Sequence, residues 1–407
     1  MKMSKLAIDG GEKIFAKGVQ TAPDWPPKYP ETAELLKELY LHGSWSFYGQ
    51  YEQEFNSKFA QYTGADSCHL MANGTVTLEV ALQALGVGPG DEVIVPAVTW
   101  LATGIAPLYV GATPVIVDIE EDTLCLDPVK VEQAITEKTK AIIPVHLFGS
   151  MADMEKIMAI AKKYDLKVIE DCAHAHGGVW DGRHVGTLGD AGSFSFQQSK
   201  IMSSGEGGAC ITMDPVIGEK LGRLSHIGYH KGAKQGEVAA PPPMGLLTHN
   251  YRITEFQAVI LLSQLKELKE STVIKDRNAR KVAERLNKIP GLQMQARGRK
   301  ADLQSFYQVI YKLDESYLKE GYTVDNVIQA LKAEGLGAGH GAWGGKAMYQ
   351  MSLWNVPEKD YRLHSKETAE KILPSLINTA SGFFACCDEE VDMYCQCFEK
   401  VMEAYSK

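Results

Sequence analysis

No window of the 407-residue chain approaches the 18 or more uninterrupted apolar residues of a membrane span, so a soluble protein is expected. The first fifteen residues mix Lys, Asp and Glu among the apolar ones and lack the continuous apolar stretch of a secretion signal. Export is therefore not expected, and a cytoplasmic location is. Clustered Lys and Arg are also missing; with a net charge of −9, a nucleic-acid surface is not expected. Eight cysteines, several inside predicted strands, are spread over the chain as reduced core residues rather than a disulfide framework. No internal repeat and no low-complexity tail is visible. What is present, 45% hydrophobic and 23% charged residues, is ordinary globular composition, and the length calls for two domains, one large and one small. Such a chain can bury a deep site, and a small-molecule substrate is the default.

From about Ser67 to Cys210, short β-rich runs alternate with helical patterns, the signature of an α/β fold with a mainly parallel sheet covered on both faces. The spacing predicts strands at Ser67–Ala72, Glu92–Pro96, Thr113–Asp118, Thr139–Val145, Lys167–Asp171, Ala191–Phe196 and Gly208–Met213. Helices are predicted at Thr75–Leu85, Val129–Ile135 and Met154–Tyr164. Gly228 to Thr248, aperiodic and rich in Gly and Pro, reads as a long loop bordering the site. A helix over Thr254–Leu268, capped by Thr254, leads to a small α/β domain with a strand near Ser305–Tyr311 and helices near Thr323–Glu334, Ser365–Leu373 and Asp388–Tyr405. The expected division is 1–250 for the large domain and 251–407 for the linking helix and small domain.

Three constellations carry chemistry. The strand Lys167-Val-Ile-Glu-Asp-Cys-Ala-His174 ends in two carboxylates, where ligands bind in open α/β sheets, although a strand-terminal Asp more often only caps a turn. The strand Ala191–Phe196 delivers the hydroxyl of Ser195 and, five positions later, Lys200, before a Gly-Glu-Gly-Gly turn. Any one lysine is usually a solvated surface charge; here small polar residues and a Gly-rich turn surround it. Met71-Ala-Asn-Gly-Thr75 runs a strand into a helix whose free N-terminal amides suit a phosphate, with Gly74 allowing close approach. A simple turn with a cap explains such a triplet more commonly. One lysine, one acid and one phosphate cradle are together what pyridoxal phosphate requires. Trp100 could stack on a pyridine ring, or equally be a buried core tryptophan.

Together these motifs resemble the DegT/DnrJ/EryC1/StrS family of sugar and cyclitol aminotransferases, whose fold is that of aspartate aminotransferase, fold type I. The resemblance covers nearly the whole chain, through Gly49-Gln-Tyr-Glu-Gln-Glu-Phe55, Gly74-Thr75, Gly88–Pro96, Pro144-Val-His-Leu-Phe-Gly149, Glu170-Asp171, Ser193–Gly208 and Asn250-Tyr-Arg-Ile-Thr-Glu-Phe256. It implies pyridoxal 5'-phosphate as cofactor, Lys200 as the Schiff-base lysine and Asp171 as the partner of the pyridine nitrogen. Gly74, Thr75 and Ser195 would hold the phosphate, Trp100 would stack on the ring, and Asn250 would reach the site of a second subunit, so a homodimer is expected. Many members have Gln three residues after the aspartate; this chain has His174, which would face the cofactor's 3-hydroxyl. That form recurs among members acting on cyclitols and in the aminohydroxybenzoate synthases.

The expected activity is transfer of an amino group from glutamine or glutamate to a keto-cyclitol of the scyllo-inosose type, or to a nucleotide-linked keto-sugar. A pyridoxal-dependent dehydratase or aromatase of the aminohydroxybenzoate synthase type would use the same lysine; dehydratases that have lost it are disfavoured by Lys200. A regulator would need a DNA-binding module, and none is visible. Metal ligation by His174 and His176 is disfavoured because the neighbouring acid is committed and no third ligand has suitable spacing, and Cys386, Cys387, Cys395 and Cys397 read as core thiols.

Overall fold

Apolar runs of four or five residues between turn residues become the strands β1 (Ser67–Met71), β2 (Glu92–Pro96), β3 (Thr113–Val117), β4 (Thr139–Ile142) and β5 (Lys167–Asp171). The computed structural model describes residues 5–237 and 247–407. A short hairpin follows, β6 (Val179–Trp180) and β7 (Arg183–His184), then β8 (Ala191–Ser195) and β9 (Gly208–Thr212). Apart from the hairpin, which the spacing does not predict, all begin where expected. Only β4 stops clearly early, at Ile142 instead of Val145, because Pro144 has no N–H to donate to the ladder.

Later in the chain come β10 (Leu292–Met294), β11 (Ala301–Leu303), β12 (Gln308–Leu313), β13 (Ala338–His340), β14 (Arg362–Leu363) and β15 (Leu376–Ala380). The large sheet has the order β1-β9-β8-β5-β4-β2-β3-β14, with β9 antiparallel to both neighbours and the other pairs parallel. This is the mixed, mostly parallel sheet of fold type I, and β14 extends it from far down the chain. The second sheet, β10-β12-β15-β13, is antiparallel.

The helices are α1 (Pro30–His42), α2 (Gln50–Thr63), α3 (Gly74–Ala84), α4 (Leu101–Tyr109), α5 (Pro128–Ala134), α6 (Met154–Tyr164), α7 (Pro215–Ser225), α8 (Glu255–Leu286), α9 (Val324–Ala333) and, past two short helical segments, Asp388–Tyr405. The spacing predicts α3, α5, α6, α9 and the last helix but not α1, α2, α4 or α7. Helix α4 holds Gly104 and Pro107, poor helix formers, and exists because it packs on α3. Apolar periodicity ends at Leu268, yet α8 runs on to Leu286. Its polar second half finds fixed partners: Asn278 donates to the Phe384 carbonyl at 2.8 Å, and Asp276 pairs with Arg280 and Arg297. Of the loop predicted over 228–248, residues 238–246 lie outside the described ones; 228–237 and 247–249 hold no helix or strand.

Two apolar cores result. One fills the space around the large sheet; the other packs the second sheet against Val282, Ile328 and Phe398. Leu6 and Phe15 belong to the second core, whereas Ala342, Met348 and Ile372 belong to the first. All eight cysteines are free thiols. Among the described residues no helix is long and apolar enough to cross a membrane.

Candidate active site

The carboxyl ends of β1, β2, β5 and β8 meet the start of the antiparallel β9, and their connections open a cavity of about 820 Å³ there. Gly74, Thr75, Trp100, Asp171, His174, Ser195 and Lys200 all line it. Asn250 does not; it is exposed, and its Oδ1 accepts weakly from the Arg252 amide. Two glycines let the strand ends converge. A Cβ on Gly74 would lie 2.7 Å from that of Ser195, and one on Gly208 would lie 2.5 Å from the Asn73 carbonyl carbon.

Lys200 is partly buried and has no ion pair among the described residues; its Nζ lies 4.4 Å from the centre of the Tyr307 ring. Burial pushes its amine down to about 8, against the opposing pull of Asp171. Asp171 ends β5 and is buried. Its Oδ2 accepts from the Thr103 hydroxyl at 2.8 Å and its Oδ1 from the Ala173 amide at 3.1 Å. Burial raises its pKa, and Thr103, Ala173 and Lys200 each work against that rise. Thr103 lies in the first turn of α4, whose N-cap is Trp100, and its hydroxyl also meets that of Thr99 at 2.8 Å. Trp100 is 43% exposed on the cavity wall and so is not a core tryptophan.

At the other end, the N-terminal amides of α3 are not all free. Asn73 caps the helix, its Oδ1 accepting from the amides of Thr75 and Val76 at 3.1 Å each. What remains for an anion is the Gly74 amide and the hydroxyls of Thr75 and Ser195. The latter has only a long 3.4 Å contact with the Gln197 amide.

His174 is sandwiched between Tyr307, at 4.1 Å between ring centres, and Phe148, at 5.6 Å. Its Nδ1 accepts from the Phe148 amide at 3.3 Å, which places the proton of the neutral ring on Nε2. Burial, then Lys200 and His176, hold its pKa well below the usual value, so it is neutral at pH 7. Phe148 has φ 59°, unusual for a bulky residue; its amide is tied to His174 and its carbonyl to the Tyr307 amide at 3.1 Å. Tyr307, Trp343 and Thr103 escape the sequence patterns. Tyr307 lies in the strand predicted near Ser305–Tyr311 but just ahead of β12, which begins at Gln308, and Trp343 lies in a Gly-rich turn; neither carries a local signal of a site. The Thr99–Thr103 spacing of one helical turn is the only clue to Thr103.

The second carboxylate of the Glu170-Asp171 pair turns away from the cavity, because successive strand residues face opposite sides. Glu170 accepts from the amides of Gly186, Leu188 and Gly189 at 2.7–2.9 Å and lies 3.0 Å from His146 Nε2. His146 Nδ1 in turn accepts from the Ala152 amide at 3.2 Å. With Cys172 these side chains make the one group of three metal-ligating atoms within mutual reach among the described residues, but its oxygens and nitrogens are already hydrogen-bonded. His176 belongs to no such group. It is buried against Phe194 and Phe196, and burial pushes its pKa down to about 3.

The profile of the DegT/DnrJ/EryC1/StrS aminotransferase family matches residues 28–381. The chain belongs to this family. It is an aminotransferase that depends on pyridoxal phosphate. An L-glutamine:2-deoxy-scyllo-inosose aminotransferase of Streptomyces kanamyceticus is 38% identical over 343 residues, covering 82% of this chain and 79% of that protein. Its namesake in Micromonospora echinospora is 37% identical over 345 residues, covering 83% and 81%. Among solved structures, an aminotransferase from Psychrobacter cryohalolentis superposes with a TM-score of 0.85 at 29% identity, over 95% of this chain and 99% of that one. The 3-amino-5-hydroxybenzoic acid synthase superposes with a TM-score of 0.83 at 28% identity, over 95% and 100%. The cavity of this aminotransferase fits its cofactor: an unpaired, partly buried amine, a buried carboxylate and a hydroxyl-lined helix N-terminus share one space.

Proposed function

We propose that this aminotransferase moves the amino group of glutamine, or of glutamate, to the ketone of a free keto-cyclitol of the scyllo-inosose type; nucleotide-linked keto-sugars are the second choice. The observation that carries this is the likeness, over four-fifths of the chain, to relatives named L-glutamine:2-deoxy-scyllo-inosose aminotransferases.

In this reading Lys200 would hold the cofactor and move a proton at Nζ, a task suited to an amine whose pKa burial has brought toward neutrality. Asp171, fixed by Thr103 and Ala173, holds the proton on the pyridine nitrogen. When bound, pyridoxal phosphate supplies the electron sink that lets an amino group leave one carbon and join another. Gly74, Thr75 and Ser195 receive the phosphate, and Trp100 covers the ring. Because the Phe148 amide occupies its Nδ1, His174 would have only Nε2–H to offer, as a donor, to the cofactor's ring hydroxyl. The assembly is a cytoplasmic homodimer in which Asn250, exposed and absent from its own cavity, completes the partner's phosphate site.

Incubating the purified protein with glutamine and a panel of keto-cyclitols and nucleotide keto-sugars, with mass detection of products, tests the assignment. An aminated cyclitol is expected. A dehydrated or aromatised product would instead place the chain with the aminohydroxybenzoate synthases.

A further inference from the structure

A second cavity, of about 390 Å³, adjoins the first, and Ser199, Lys200 and Tyr307 line both and form the wall between them. Its other sides come from segments remote in sequence: residues 23–29, α8 and residues 380–385. Trp25 fastens the first segment over the wall, its Nε1 donating to the Gln198 carbonyl at 2.7 Å. Into this space α8 brings Lys275, which has neither an ion pair nor a hydrogen bond from its amine among the described residues. Burial alone pushes that amine down to about 8, so it remains mostly charged at neutral pH. The two carboxylates on the cavity are engaged elsewhere. Asp24 pairs with Lys28 at 3.5 Å, and Glu267 accepts from the Tyr29 hydroxyl at 2.7 Å.

Lys275 is partly buried, and a cation that faces a cavity without a counter-ion is a ready partner for an anion from outside. Of the two reactants in the reading above, a free keto-cyclitol is uncharged, whereas the amino-acid donor always brings a carboxylate. The volume falls within the range of small-molecule sites. We propose that this second cavity is the donor pocket and that Lys275 is the cation that pairs with the donor's α-carboxylate. The inference rests on the transamination reading and adds to it a residue, a cavity and a division of labour: the acceptor enters by the first cavity, the donor's acid group is held across the Lys200–Tyr307 wall.

The donor half-reaction tests this in the cofactor-loaded enzyme without any ketone, by titrating glutamine and following the cofactor's absorbance. Lys275→Gln should require on the order of tenfold more glutamine for half-maximal rate, the usual effect of losing a charge-assisted contact, at little change in maximal rate. Lys275→Arg should restore most of the loss. Glutarate, which cannot react, should compete with glutamine in the wild type and far more weakly in Lys275→Gln. Cofactor content and thermal melting check that the variant folds; if it does not, Lys275→Met, which keeps the apolar stem, replaces it. A glutamine requirement unchanged within about twofold overturns the proposal. So does an effect confined to the KM of a nucleotide-linked keto-sugar, which would assign the cation to a diphosphate. A wild type that responds to neither glutamine nor glutamate refutes the donor assignment itself; a responsive wild type with an indifferent variant refutes only the pocket.

Discussion

Lys200 and Asp171 sit at opposite ends of one electrostatic problem: burial drives both toward their neutral forms, and each resists the shift in the other. Only the unprotonated amine can attack an aldehyde. Covalent uptake of added pyridoxal phosphate by the cofactor-free protein should therefore accelerate as pH rises, with a midpoint near 8 and a plateau above it. Stopped-flow absorbance gives the profile, and borohydride reduction with peptide mapping should find the label on Lys200; a label on another lysine would refute the assignment. Asp171→Asn should retain the cofactor but lose on the order of a hundredfold or more in turnover, since an amide cannot keep the ring nitrogen charged. Near-normal turnover would make the acid structural. The meeting of Lys200 and Asp171 in one cavity was legible because each lies inside a contiguous strand-end motif. Tyr307, Trp343 and Thr103 were not, because each enters the cavity from an element whose place is decided by packing rather than by neighbours in sequence.

At the scale of elements, the node of Glu170 and His146 explains why the strand needs two acids in a row. One, Asp171, lines the cavity. The other gathers the 186–189 turn and the loop after β4 onto the back of β5. Glu170→Ala would leave three amides and an imidazole unpaired in the interior, and should destabilise the protein by about 3–5 kcal/mol, read from the urea midpoint. A loss under about 1 kcal/mol would mean that water replaces the carboxylate. The strands were readable because turn residues bound their apolar runs. The second half of α8 was not, for its stability comes from Asn278 and Asp276 finding partners in distant segments, which no periodicity can reveal. Asn73, by contrast, is the helix cap that the Asn-Gly-Thr triplet suggested.

For the whole molecule the sharpest expectation concerns assembly. If each site takes Asn250 from the partner, Asn250→Ala should weaken cofactor retention without abolishing it, by about 1.5–3 kcal/mol for a hydrogen bond to a charged group. Mixing Lys200→Ala with Asn250→Ala subunits then yields hybrids in which one site carries both lesions and the other neither, so activity should partly return. Hybrids verified by native mass spectrometry that hold the cofactor, and work at limiting cofactor, no better in their lysine-intact site than Asn250→Ala homodimers would place Asn250 in its own subunit's site or in none. The edge strand β14 bears on the molecule in another way. It is delivered to the large sheet from residues 362–363, and the Asp118 carboxylate at the end of β3 accepts from the amides of Thr368 and Ala369 just beyond it. At the other extreme of the chain, Leu6 and Phe15 are sealed into the core of the second sheet. The polypeptide is thus laced: each core is finished by chain from the far end of the sequence, so a cut between the two halves should leave both cores open.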